Sequence, residues 1–155
     1  MSIQDTGFDQ IDRNIAEILM NDASLTSAQI GELVGLSSSA TNERIRRLKN
    51  EGSIKKIVAL VDSSFMDMAL GAFILCSLEG KENNINFLAS AHAHKNILEI
   101  HHVTGEYSYI LKIRCADTKA LEMLITDFLK TQIGVTKTMT QIILSSHKEQ
   151  SLVTG

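Results

Sequence analysis

Between positions 38 and 49 the segment SSATNERIRRLK carries hydroxyl, carboxamide, guanidinium and ammonium groups at a spacing that gathers many of them on one side of a helix. Thr41, Ile45 and Leu48 fall together and turn inward, which leaves Ser38, Ser39, Asn42, Arg46 and Lys49 contiguous on the outer face. A carboxamide pairs bidentately with adenine and a guanidinium with guanine, whereas hydroxyl and ammonium groups settle more often on phosphates. The chemistry on offer is groove recognition rather than bond making. A lone RIRRLK run would read more readily as a solvated, charged helix face, so the weight rests on what precedes it.

What precedes it is a second short helix with both ends marked. Thr26 and Gln29 have the spacing of a capping box, and Ile30, Leu33 and Val34 share a face. Gly35 suits the left-handed position that closes a helix, and Ser37 offers an oxygen to cap the next one. Two capped helices joined by so short a link are the outline of a helix-turn-helix. Asp9 caps an earlier helix in which Ile11, Ile15, Ile18 and Leu19 form a stripe ending near Asn21 and Asp22, and this helix is expected to buttress the pair. After Leu48, Gly52 supplies a stop and IKKIVALVD reads as a β-branched strand, a candidate wing whose Lys55 and Lys56 would reach the flanking backbone of DNA.

The charge distribution agrees with a localised nucleic-acid contact. The chain of 155 residues has a net charge of −3, so no general basic coat exists. Residues 41–56 nevertheless hold six Lys or Arg, at positions 44, 46, 47, 49, 55 and 56, against Glu43 and Glu51, a local +4. A hydrophobic content of 44% is enough to bury a core, and no apolar run approaches the roughly 18–20 residues that span a bilayer. With no secretory pattern at its acidic, polar start, the protein is expected in the cytoplasm and away from membranes.

Residues 62–69, DSSFMDMA, lose periodicity and are the expected linker between a DNA-binding domain at 1–61 and a second domain at 70–155. The second half reads as strand 70–78, helix 83–93, strand 97–103, strand 107–115, helix 118–131 and strand 135–144. That order is βαββαβ, the ferredoxin-like arrangement, and the fold class is α+β. Its helices cover one face of the sheet, so the other face should be polar if it met water. In the first strand Leu70, Ala72, Ile74, Cys76 and Leu78 alternate with Gly71, Phe73, Leu75 and Ser77, which leaves both faces largely apolar and calls for a second chain as cover.

Other reactive residue types do not assemble into a site. His92, His94, His101 and His102 are close in sequence, but the first two point different ways on a helix and the last two point to opposite faces of a strand, so structural or interface roles are expected over zinc. Cys76 and Cys115 lack CxxC spacing and sit in apolar alternating runs, as buried thiols do. No nucleophile setting, phosphate-cradling glycine loop or HExxH appears, so neither catalytic residues, a metal nor a cofactor is expected.

Together with the winged-helix and βαββαβ pairing, LVGLSSSATNERIRRLKNEGSIKK, ILEIHHVTGEYSYILKIR and GVTKTMTQIILSSHK resemble the Lrp/AsnC family of leucine-responsive and asparagine-operon regulators over nearly the whole chain. The resemblance implies a transcription regulator that binds double-stranded DNA, forms homodimers and assembles further into tetramers or octamers. It also implies an amino acid or related metabolite as effector, bound between subunits near Val103, Thr104, Gly105, Glu106, Tyr107 and Ser108 and the facing last strand at Thr138 and Thr140. One departure stands out: the family loop commonly continues Tyr-Asp-Tyr, and here it is Tyr107-Ser108-Tyr109. The missing carboxylate removes an anionic partner for an ammonium group and implies altered effector choice. Proline, absent from the chain, is common in the family at positions matching Ser38, Ser63, Lys95 and Ile133.

The expected division of labour gives Ser38, Ser39, Asn42 and Arg46 to the bases, and Arg44, Arg47, Lys49, Lys55 and Lys56 mainly to the DNA backbone or to packing. Two alternatives remain open on sequence. One is an architectural nucleoid-type protein with little ligand response; the other is a metabolite-binding adaptor or enzyme with a relic helix-turn-helix.

Overall fold

The computed structural model describes residues 7–79, 81–132 and 135–148. Contacts divide the chain between Ala59 and Leu60 into two units, a little before the 62–69 stretch where periodicity fades.

The first unit holds three helices, α1 (Gln10–Asn21), α2 (Ser27–Val34) and α3 (Ser38–Asn50). Each starts where a side-chain oxygen meets an orphan amide. Asp9 and Asp12 form a reciprocal capping box on α1, Thr26 and Gln29 form one on α2, and the Ser37 hydroxyl accepts from the Ala40 N–H on α3. Gly35 closes α2 with φ 73°, in the left-handed region that favours glycine. Ile15, Ile30, Ile45 and Leu48 make the core, one or two from each helix, with Ile11, Ile18, Leu19 and Val34 packed around them. The turn is tight because Gly31 has no side chain. A Cβ there would lie 2.6 Å from the Leu36 carbonyl oxygen and 2.9 Å from the Thr41 hydroxyl.

The expected wing is not a strand. Ile54 packs on the core and its N–H reaches the Leu48 carbonyl at 2.9 Å, but residues 55–62 carry no regular structure. A β-branched run needs a neighbouring strand for its backbone groups, and this unit has none among its described residues.

The second unit is a four-stranded antiparallel sheet of β1 (Leu70–Leu78), β2 (Ile97–His102), β3 (Tyr109–Cys115) and β4 (Val135–Ile143), in the order β2-β3-β1-β4. With helix α4 (Lys81–Ala93) between β1 and β2, and α5 (Thr118–Met123) between β3 and β4, this is the βαββαβ order expected. Ala72, Ile74 and Cys76 of β1 and Tyr109, Leu111, Ile113 and Cys115 of β3 turn to one face and are buried with Phe87, Ala91, Leu121, Leu124 and Leu129 from the helical segments. Both cysteines are buried free thiols, and burial pushes Cys76 up to about 12, far from a reactive thiolate.

The second helix differs from the α-helix expected over 118–131. Beyond Met123 it widens into a π-helix, Leu124–Gln132. Leu124 and Leu129, five apart, both reach the core, a spacing that i→i+5 bonding keeps on one side. The opposite sheet face carries Phe73, Leu75, Ile110, Met139 and Ile143 among Lys112, Gln141 and Glu99, by the registers of β1 with β3 and β4 and of β2 with β3. Phe73 is 36% and Met139 39% exposed, an apolar content unusual for a face that meets water.

Candidate nucleic-acid interface and ligand loop

The outer face of α3 follows from its inner one. Thr41, Ile45 and Leu48 are buried at helical spacing, with the Thr41 hydroxyl tied to the Ser37 carbonyl at 3.0 Å. Ser38, Ser39, Asn42, Arg46 and Lys49 are all exposed, as their spacing required. Ser27, Ser37, Ser38, Ser39 and Asn42 line an open depression of about 590 Å³ where α2 and α3 both begin. Serine residues from both helix starts line it, and a helix start favours negative charge. Arg46 lies one turn beyond Asn42 on the same exposed face of α3.

The arginines of α3 divide into two kinds. Arg46 is exposed and has no ion-pair partner among the described residues. Arg44 and Arg47 turn back toward α1: Arg44 Nη1 lies 2.7 Å from Asp9 Oδ2 and 2.9 Å from Asp12 Oδ1, and Arg47 Nη2 lies 2.6 Å from Asp12 Oδ2. The Arg47 guanidinium also sits 5.0 Å from the centre of the Phe8 ring. The Asp9 carboxyl is held below the usual range, first by the Asp12 backbone N–H and then by Arg44. Arg44 and Arg47 are thus engaged by carboxylates of the first helical segment, whereas Arg46 points outward. Lys55 and Lys56 are exposed on irregular chain, not on a wing.

In the second unit the loop between β2 and β3 is fixed at its base and open at its tip. The Val103 N–H donates to the Ser108 carbonyl at 2.9 Å, and the Ser108 N–H donates to the Cys76 carbonyl at 3.1 Å. Gly105 has φ 120°, a conformation that L side chains rarely adopt. Thr104, Gly105 and Glu106 are exposed, while Val103, Tyr107 and Ser108 are half-buried. Tyr107 belongs to this loop, since β3 begins at Tyr109 and not at 107.

Across from the tip, Lys137 of β4 pairs with Glu106 and places its ammonium 5.1 Å from the centre of the Tyr107 ring. The Ser77 hydroxyl donates to the Glu106 carbonyl at 3.4 Å and completes the contact. Glu106 raises the Lys137 ammonium above its ordinary value. Sequence reasoning passed over Lys137; its one signal was a lone cation on the last strand. It also named Thr138 and Thr140, which the pleat separates from the Lys137 side within one chain. They pair with Cys76 and Ile74, whose side chains lie on the helix-covered face.

The histidines are spread among separate contacts. His94 stacks on Phe128 at 4.3 Å, His102 on Tyr109 at 5.0 Å, and His101 Nε2 lies 3.0 Å from Glu99. Among the described residues, no group of three or more His, Cys, Asp or Glu is placed to hold a metal ion, and no helix is long and apolar enough to cross a membrane.

The relatives of this chain share both units. Residues 8–49 match the AsnC-type helix-turn-helix domain and residues 71–153 match the Lrp/AsnC ligand binding domain. The HTH-type transcriptional regulator FL11 of Pyrococcus horikoshii is 34% identical over 142 residues, covering 91% of this chain and 92% of its own. The leucine-responsive regulatory protein of Escherichia coli K12 is 30% identical over 145 residues, covering 92% and 88%. Among solved structures, the transcriptional regulator NMB0573 of Neisseria meningitidis, in complex with L-Met, superimposes with a TM-score of 0.87 at 26% identity, over 95% of this chain and 96% of that one. With a capped helix-turn-helix and a ligand-binding sheet domain that both match along nearly their full lengths, this chain belongs to the Lrp/AsnC family of DNA-binding transcriptional regulators, which are not enzymes.

Proposed function

We propose that this regulator reads its DNA through Ser38, Ser39, Asn42 and Arg46, anchors on phosphates through Lys49, Lys55 and Lys56, and answers to an amino acid or related metabolite bound at the 103–108 loop. The observation that carries the DNA half is the exposed α3 face, with Arg46 unpaired beside the hydroxyl-lined depression. For the effector half the support is a relative solved with L-Met together with this chain's own loop, open at Thr104 to Glu106 and faced by a cation at Lys137. A zwitterion needs one partner of each charge, and Glu106 and Lys137 are such a pair.

The working form is a homodimer, assembled further into a tetramer or octamer in the cytoplasm. Two features favour self-association: the half-exposed apolar sheet face around Phe73 and Met139, and the exposed run Ile57, Val58, Leu60 and Val61, whose backbone has no strand to pair with among the described residues.

A thermal-shift panel of the twenty amino acids on the intact protein tests the effector half. A ligand present at a hundred times its dissociation constant stabilises the folded state by about 2.7 kcal/mol, a readily measured rise. A shift with one or a few amino acids is the expected result. The second reading, an architectural binder that ignores metabolites, draws on Ser108 standing where a carboxylate is common and on Glu106 and Lys137 already satisfying each other. A flat panel would transfer the weight to it.

A further inference from the structure

We propose that Asp12 sets DNA specificity by withholding two of the three α3 arginines from the phosphate backbone. It is a positioning residue, buried under α3 and acting through Arg44 and Arg47.

The carboxylate is fully buried, and both of its oxygens accept hydrogen bonds. Oδ1 accepts from Arg44 Nη1 at 2.9 Å; Oδ2 accepts from Arg47 Nη2 at 2.6 Å and from the Asp9 N–H at 3.1 Å. A surface ion pair opens readily, because each partner is rehydrated when it lets go. A buried carboxylate has no such exchange: releasing its guanidinium strands a charge in a medium of low dielectric. The Arg44 and Arg47 side chains are only 28% and 44% exposed, and Arg47 is further held against Phe8. Asp9 adds a second carboxylate to Arg44, so the cluster of two acids and two bases is neutral. It cancels two of the four net positive charges carried by residues 41–56.

Phosphate contacts supply affinity without sequence information, and each one lost or gained changes the salt dependence of binding by about 0.9 in the logarithmic slope. Three free guanidiniums on one helix would raise affinity for every duplex alike. With two of them tied to α1, Arg46 is left as the arginine of α3 that meets DNA, and base reading takes a larger share of the binding free energy. The same tie fixes the rotation of α3 about its axis, because both arginines reach the one buried acid from successive turns of the helix.

The experiment is a salt titration of binding by the full-length protein to a site selected from a randomised duplex pool and to random-sequence duplex. Wild type, Arg46→Gln, Arg47→Gln and Asp12→Asn are compared. Arg46→Gln is expected to narrow the ratio between the selected site and random DNA. Arg47→Gln is expected to leave the slope unchanged while lowering the melting temperature. Asp12→Asn is expected to steepen the slope by about one, to tighten binding to random duplex, and to narrow the ratio between the selected site and random DNA. If Arg47→Gln lowers the slope by about one, or Asp12→Asn leaves slope and ratio as in wild type, the inference is overturned. Should Asp12→Asn not fold, the two arginine variants decide alone, because Asp12 keeps Arg44 when Arg47 is replaced. The inference rests on α3 being the DNA-entering helix, and that reading fails separately: Arg46→Gln would then leave the ratio untouched.

Discussion

The two units of this chain reach stability by opposite means. In the sheet unit, fourteen buried residues among those described, all but Tyr109 lacking polar side-chain groups of any strength, form one continuous core. In the helical unit four buried aliphatic residues share the interior with a charged carboxylate and a threonine hydroxyl. That core, even with Ile11, Ile18, Leu19 and Val34 packed around it, is the smaller of the two, and polar or close backbone contacts add to it: Asp12 between α1 and α3, and the Gly31 contact between α2 and the turn. The comparison teaches where sensitivity lies. Substitutions in the sheet unit act through lost volume, and substitutions in the helical unit act through geometry.

The largest expected effect tests the first half of that contrast. Leu111→Ala, at a fully buried position of β3, is expected to cost about 2–5 kcal/mol by chemical denaturation. A loss under about 1 kcal/mol would mean that the sheet core is loosely packed and that the contrast is false. Gly31→Ala is next. Alanine ordinarily improves a helix, but here its methyl meets the Leu36 carbonyl at 2.6 Å, and a net loss of about 1–3 kcal/mol is expected in the helical unit. A gain in melting temperature would show that the turn relaxes freely.

Ser38→Pro, at the first position of α3, is expected to raise stability by about 0.4–1 kcal/mol through a stiffer unfolded chain. A clear fall would reveal a contact of the Ser38 N–H or hydroxyl. The smallest effect belongs to pH. Asp9 has a folded pKa below its ordinary 3.8, so its contribution is present above that value and fades as pH falls through the lower folded one. Asp9→Asn is therefore expected to flatten the acid limb of the stability profile below about pH 4 while leaving neutral-pH cooperativity intact. An unchanged acid limb would remove Asp9 from the clamp.

The features legible in the sequence were those made by neighbours along the chain. Asp9, Thr26 with Gln29, and Ser37 were readable as caps because a cap and the amide it satisfies lie within one turn, and the inward face of α3 was readable because helical spacing is local. Strand β1 was legible at Leu70–Leu78 as a short run apolar on both faces. What stayed hidden depends on distance. Asp12 meets Arg44 and Arg47 across 32 and 35 residues, and Lys137 meets Glu106 across 31, so nothing in their own neighbourhoods announced them. The π-helix after Met123 was hidden for another reason: its sequence pattern is that of a helix, and only the shared burial of Leu124 and Leu129 betrays the wider turn. The 54–62 run suggests a wing because its β-branched residues favour a strand, but that preference says nothing of the partner a strand's backbone requires.

The central claim is that α3 reads sequence through Arg46 while Lys55 supplies affinity alone, and a paired titration tests it most directly. Arg46→Ala and Lys55→Ala are each measured on the selected duplex and on random-sequence duplex at one salt concentration. The account predicts that Arg46→Ala loses about 1–3 kcal/mol of preference for the selected site, while Lys55→Ala weakens binding to both duplexes equally. Equal, sequence-blind losses from both variants would contradict it.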